Sequence, residues 1–249
     1  MPTVAPLDLD GHCVAAAFLG GVPFFAQAGG TVHRLDHGHK SEAVHDGLLC
    51  AALDAAGNRL ITGGEDGKVR AVRRDGTVED LGAVERKWIT SVAAGPQQAV
   101  AFGSGRTAHV RFADGKVKSL DHPRSVEGVA FSPKGMRIGV ARYNGATLHF
   151  PAADGKPVEL EWAGAHTGIT FSPDAAYVVT TMQENALHGW KLVDGKHMRM
   201  TGYPAKVKSL SWSAKGRWLA SSGAQAAIVW PFHGKDGPMG KAPLELGTR

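Results

Sequence analysis

A repeat of about 40 residues, the length of one small supersecondary unit, constrains this chain more than any other feature. Asp-Gly-Lys recurs at Asp114–Lys116, Asp154–Lys156 and Asp194–Lys196, in two equal steps; Asp75-Gly76 precedes the series by almost the same step and Asp236-Gly237 follows it by a slightly longer one. A second marker is a bulky apolar residue opening a turn: Phe131-Ser-Pro-Lys-Gly135, Phe171-Ser-Pro-Asp-Ala175 and Trp212-Ser-Ala-Lys-Gly216, with a weaker copy at Leu53-Asp-Ala-Ala-Gly57. A third is Val110, Phe150, Trp190 and Trp230, each one period after the last. Three markers with one period exclude coincidence. A fixed period of this length means stacked copies of one small unit.

The grain within each copy is β. The chain has 33 glycines and 13 prolines, spread evenly, which leaves no room for long helices. A hydrophobic fraction of 43% excludes a disordered chain. Short apolar runs such as Val126–Phe131, Ile138–Val140 and Tyr177–Val179 alternate with Ser-Pro, Asn-Gly and Asp-Gly turns, the pattern of hairpins. A more polar run, for example Val158-Glu-Leu-Glu161, follows each Asp-Gly-Lys turn. Four strands in each period make one blade of a β-propeller. One such sheet cannot bury both faces alone, so the blades must stack, with the polar fourth strand on the solvated rim.

The order His122-Pro-Arg-Ser-Val126-Glu-Gly-Val129-Ala-Phe131-Ser-Pro-Lys-Gly135, closed by Phe150, resembles a blade of the WD-repeat β-propeller family, in its bacterial form. That family opens its blades with Gly-His and closes them with Trp-Asp. Trp190 and Trp230 hold the tryptophan position here, but Lys191 and Pro231 follow them, and Tyr203 replaces the opening histidine in the sixth copy. The family's buried His-Ser-Asp-Trp network is therefore expected to be incomplete in every blade.

The expected architecture is a single all-β propeller domain, residues 1–249, of four-stranded antiparallel blades. Six blade cores fall at about 13–36, 48–72, 89–110, 126–150, 167–190 and 207–230. Ala5-Pro-Leu-Asp-Leu-Asp10 resembles Ala242-Pro-Leu-Glu-Leu-Gly247, and both read as outer strands. That makes seven outer strands for six inner sets, so the intact ring is expected to hold seven or more blades. A six-bladed ring with a tail at one end is the alternative.

No catalytic spacing is present: no G-x-S-x-G, P-loop, H-E-x-x-H or dinucleotide fingerprint. The expectation is no enzyme and no cofactor. His33, His37, His39 and His45 lie close together in the chain and are the weak candidates for a metal, since histidines two apart on a strand share a face. Solvated or structural histidine is the prevailing reading of them, and no metal is expected. Two cysteines, Cys13 and Cys50, are too few for a disulfide framework. The apolar stretch Cys13–Ala28 is broken by Gly20-Gly21 and Pro23 and follows Asp8 and Asp10, unlike a leader or a membrane span. The expected location is the cytoplasm, without membrane attachment. The net charge of +5 permits acidic partners, but Lys and Arg are scattered without a run, so nucleic acid is not expected.

What the resemblance implies is a protein-interaction scaffold. Loops entering the first strand, and loops joining the second and third, gather at one end of the blades. They carry Arg86, Lys87, Trp88, Arg124, Arg142, Tyr143, Asn144, Met182, Gln183, Glu184 and Tyr203, rich in the residue types that anchor interfaces. A small-molecule- or metal-binding propeller is the alternative.

Overall fold

The structure, a computed structural model, describes residues 8–153 and 155–247. Two compact units follow one another along the chain, one running to Ile89 and the other from Thr90. In the first, β1 (Cys13–Leu19), β2 (Val22–Gln27), β3 (Thr31–Leu35) and β4 (His39–Ala43) form one antiparallel sheet in chain order. The strands β5 (Leu48–Leu53), β6 (Arg59–Gly64), β7 (Lys68–Arg73) and β8 (Val78–Ala83) form the next. The second unit opens with β9 (Ser91–Ala94), β10 (Val100–Ser104), β11 (Thr107–Arg111) and β12 (Val117–Asp121). A six-stranded sheet follows, of β13 (Val126–Phe131), β14 (Ile138–His149), β15 (Val158–Phe171), β16 (Tyr177–Met182), β17 (Ala186–Lys191) and β18 (His197–Met200). The last sheet is β19 (Leu210–Trp212), β20 (Trp218–Ser221), β21 (Ala227–Pro231) and β22 (Leu244–Leu246).

The fold is thus all-β, of the propeller class, with four-stranded antiparallel blades. The expected six separate blades are corrected to five sheets. The fourth and fifth repeats share the six-stranded sheet because two strands run on where the repeat predicts breaks. The first part of β14 pairs with β13 (Val140 opposite Val129), and its second part pairs with β15 (Ala146 opposite Leu160), across a bulge between Tyr143 and Gly145. The strand β15 then continues through His166, where it begins to pair with β16. The start expected at 167 for the fifth core therefore lies inside β15.

Burial explains the strand order. Burial is deepest in second and third strands and is nearly complete in Tyr177–Met182 and Ala186–Lys191, where a blade covers each face. Fourth strands alternate or face solvent: in His197–Met200 the methionines point inward while His197 and Arg199 point out, and Leu244–Leu246 is exposed throughout. In the first unit Leu19, Phe24 and Val32 pack against Leu48, Leu60 and Val72 of the next sheet. In the second unit one cluster joins Val110 to Val126 and Val140, and another joins Leu148 and Leu160 to Phe171, Val178 and Trp190. A third joins Tyr177, Leu187 and Met200 to Leu219, Trp230 and Phe232. Each such side chain contributes about 1.5–3 kcal/mol on burial, so these seams hold neighbouring repeats together.

The repeated turns have a common geometry. In Asp114-Gly115-Lys116 the Asp114 carboxylate accepts the Lys116 N–H at 3.0 Å while Gly115 takes φ of 86°. Asp194 accepts from Lys196 at 3.2 Å with Gly195 at 70°, and Asp75 from Thr77 at 2.9 Å with Gly76 at 92°. A positive φ suits glycine, and the aspartate fixes the turn. Asp154 of the remaining copy lies outside the described residues. At the chain's ends, β22 is an outer strand paired with β21, as expected. Of the matching N-terminal segment Ala5–Asp10, only Asp8, Leu9 and Asp10 fall within the described residues.

Candidate interaction face

The loops of the second unit that lead into first strands, or join second to third strands, lie at one end of their antiparallel blades. The Arg142–Gly145 bulge is the best-defined of them. Asn144 has φ of 63° and Gly145 φ of 127°, and a Cβ on Gly145 would come within 2.0 Å of the Leu160 carbonyl oxygen. Only glycine permits that approach. The Asn144 side-chain oxygen accepts from the Gly164 N–H at 3.2 Å, and Glu184 accepts from the Ala165 N–H at 3.3 Å. The Gln183 N–H in turn donates to the Ala165 carbonyl at 2.9 Å. Three successive loops are therefore tied together through the Gly164–Ala165 backbone.

Arg142 is the keystone of this arrangement rather than a free contact. It donates to Thr147 Oγ1 at 2.9 Å, to the carbonyls of Tyr143 and Asn144 at 2.9 and 3.4 Å, and to the Glu159 carboxylate. Thr147 also donates to Glu159 at 2.8 Å. Burial works against ionisation of Glu159, but the hydrogen bonds from Arg142 and Thr147 outweigh it and hold its carboxyl below the usual range. The outcome is a rigid mount on which Tyr143 stands 51% exposed. Arg124, Asn144 and Gln183 are exposed on loops at the same end of their blades.

Two residues expected on this surface are buried. Met182 is 2% exposed, the last residue of a strand covered on both faces. Tyr203 is 7% exposed, shares a 2.6 Å hydrogen bond with Ser221 Oγ, and accepts one from the Trp230 indole at 2.5 Å. Arg142 likewise leaves the set of free contacts, for the bonds given above.

In the first unit, Arg86 adopts φ of 56° and Lys87 is exposed. Trp88 is 57% exposed beside fully buried Ile89, whose N–H donates to the Gly64 carbonyl at 3.0 Å. This aromatic too is displayed by an anchored backbone.

The four candidate metal ligands separate. His33 and His39 meet, Nδ1 to Nε2 at 2.8 Å with stacked rings, and His33 also bonds the Gln27 amide oxygen at 2.9 Å. Burial, then the neighbouring His39, lowers the His33 pKa. His37 is exposed in the turn, near Asp36. His45 sits apart, buried, bonded to Asp66 and to Thr62 Oγ1, each at 2.9 Å. No group of three His, Cys, Asp or Glu suited to a metal exists among the described residues.

The His45–Thr62–Asp66 constellation has counterparts. His166 bonds Thr180 Oγ1 at 2.7 Å, with Glu184 in the turn after the second strand, and Tyr203, Ser221 and Trp230 form the last version. Each joins the chain entering a blade to its second strand, and each lacks at least one of the four partners expected from the resemblance. The family described as "WD domain, G-beta repeat" matches residues 30–71 and 196–230, the segments that span the His45 and Tyr203 constellations. Those two stretches of the chain are WD repeats. A search of curated proteins found no match. No helix among the described residues of this WD-repeat chain is long and apolar enough to cross a membrane.

Sequence reasoning missed the residues that build the mount. Glu159 read as rim because its strand is polar, and nothing in the sequence pairs it with Arg142, well before it in the chain. The register of β14 against β15 was needed to join them.

Proposed function

We propose that this WD-repeat protein is a non-catalytic platform that presents its loop face to a partner protein in the cytoplasm. The observation that carries the reading is Tyr143. A half-exposed aromatic on a backbone fixed by Arg142, Glu159, Asn144 and Gly145 loses little entropy on binding, which is what a hot spot requires. Arg124, Asn144 and Gln183 are the surrounding contacts in this reading, and Trp88 is a separate exposed anchor on the first unit. Two free cysteines, one exposed and one half-buried, agree with a reducing compartment.

The test is quantitative capture from native lysate with wild type, Tyr143→Ala, and Val193→Ala. Val193 is more exposed still but sits in a turn at the other end of the strands. At least one protein should be retained by wild type and the Val193 variant and lost by about tenfold or more with Tyr143→Ala, the cost of a hot-spot residue. Identical profiles for all three would refute the assignment.

A further inference from the structure

The net charge of the chain is unevenly placed. Residues 191–249 carry ten Lys or Arg against three Asp or Glu, while residues 1–190 carry eighteen against twenty. The whole positive excess therefore belongs to the end of the fifth repeat and to the sixth. In the structure much of it converges on Lys191, at the end of the strands opposite the loop face described above. Three adjoining clefts share this residue. One of 430 Å³ is walled by Lys215, Arg217, His233 and Lys235, one of 310 Å³ by Lys196 and Lys235, and one of 410 Å³ by Arg137 and His197.

The carboxylates nearby offset this surface only in part. Asp174 is engaged by its own turn, accepting from Ser172 Oγ at 2.5 Å and from the Ala176 N–H at 3.0 Å. Asp194 leans on Lys191 at 3.5 Å, and Lys191 also donates to the Lys235 carbonyl at 3.0 Å. Asp236 borders the 310 Å³ cleft, and Glu159 and Glu161 border the 410 Å³ one, which leaves the 430 Å³ cleft the most cationic of the three. Among the described residues, no carboxylate lies within ion-pair distance of Lys196, Lys215, Arg217 or Lys235, all exposed. His233 stands edge-on to Trp218 with its Nδ1 buried and without a hydrogen-bond partner. Like charges held together repel, and clefts lined by one sign focus the field on an incoming counter-ion.

We propose that this end of the fifth and sixth repeats binds a small ligand bearing two or more neighbouring phosphate groups. Separate cations around adjoining clefts match a chain of anionic centres better than a single carboxylate, and Arg217 supplies the fork that suits phosphate oxygens. Each cleft has the size of a small-ligand pocket. A nucleic-acid strand would need exposed aromatic platforms for its bases. Here Tyr177 and Phe232, the aromatics that line the 430 Å³ cleft, are only 5% and 4% exposed. The 430 Å³ cleft shares no residue with the loop face.

Calorimetric titration of the full chain at low salt tests this. The probes are sodium tripolyphosphate, orthophosphate, a nucleoside triphosphate and a single-stranded oligonucleotide. Tripolyphosphate should bind one to one and about tenfold or more tighter than orthophosphate, because each further charge-assisted contact is worth roughly that factor. Lys215→Gln with Arg217→Gln should weaken it by about 30-fold or more. Lys206→Gln with Lys208→Gln, the same loss of charge in the loop leading into the last repeat, should change it by less than about threefold. Thermal melts of both double variants should match wild type, since all four side chains are exposed. A nucleoside triphosphate binding tighter than tripolyphosphate assigns the ligand to nucleotides, and equal binding assigns it to the phosphate chain alone. Absence of tripolyphosphate binding, equal weakening by both double variants, or displacement of tripolyphosphate by the oligonucleotide at lower concentration would each overturn the proposal.

Discussion

His188 is a buried imidazole whose two ring nitrogens both lack a hydrogen-bond partner, and replacing it should change how the protein responds to acid. Its ring stacks on Trp162 at 4.1 Å between centroids and on His197 at 5.3 Å, with Trp190 edge-on at 4.6 Å and His166 edge-on at 6.3 Å. Burial, then the neighbouring His166, His197 and Arg199, depresses its pKa from 6.5 to about 3. The folded state therefore stays unprotonated between those values while the unfolded chain takes up a proton. Stability contributed by neutral His188 is complete above pH 6.5 and falls as the pH drops below it. From pH 6.5 to pH 5 the loss is about 1.5 pH units at about 1.4 kcal/mol per unit, or about 2 kcal/mol. His188→Phe removes that proton uptake, and also removes unpaired buried polar atoms that cost about 1–3 kcal/mol. The variant should be neutral to stabilising at pH 7 and should lose about 2 kcal/mol less than wild type on going to pH 5. Urea titrations followed by tryptophan fluorescence report on this site, because Trp162 and Trp190 flank the ring. His188→Leu serves as a second variant should the phenyl ring overfill the site. Parallel losses in wild type and both variants, within about 0.5 kcal/mol, would refute the reasoning.

Two further outcomes follow from the core. Trp190→Ala should cost about 3–5 kcal/mol in chemical denaturation, because the indole is 3% exposed and fills the seam among Leu148, Leu160, Phe171 and Val178; a cost below about 1 kcal/mol would mean that this seam is not formed. Tyr203→Phe should cost about 1–3 kcal/mol, since it strips Ser221 Oγ and the Trp230 indole of their shared partner; an unchanged denaturation midpoint would show that water replaces the hydroxyl.

The period, the β grain, the polar outer strands and the Asp-Gly turns were all legible in the sequence because each is set by local chemistry. An aspartate two residues before a donor closes a turn wherever it occurs, and a strand flanked by blades on both faces must be apolar throughout. The merging of the fourth and fifth repeats was not legible from a count of periods. A junction without proline permits it but does not impose it, since the strands also break at the proline-free Val44–Gly47. Where the third repeat meets the fourth, and the fifth the sixth, the chain reads His122-Pro123 and Tyr203-Pro204, and each proline removes a ladder donor and stops the strand. Between the fourth and fifth repeats it reads Trp162-Ala-Gly-Ala-His166, with every N–H intact, and β15 runs straight through.

The proposed interaction face was legible as loops and not as side chains, and the same cause separates the two. Loop positions follow from counting strands, whereas the direction of a side chain depends on partners far along the sequence. Tyr203 occupies the blade-opening position where the other repeats place His45 and His166, and that position points inward because the second strand offers a hydroxyl to meet it: Thr62, Thr180 or Ser221. A phenol reaches Ser221 and the Trp230 indole from there, so the aromatic that looked suited to a partner is consumed by the fold. Arg142 meets Glu159 for a similar reason, since the bulge at Tyr143–Gly145 sets β14 against β15 so that Thr147 and Glu159 lie directly opposite each other. What stays outside is Tyr143, which lies at the bulge itself. The residue left exposed is the one whose neighbours on either side, Arg142 and Asn144, are committed to holding it.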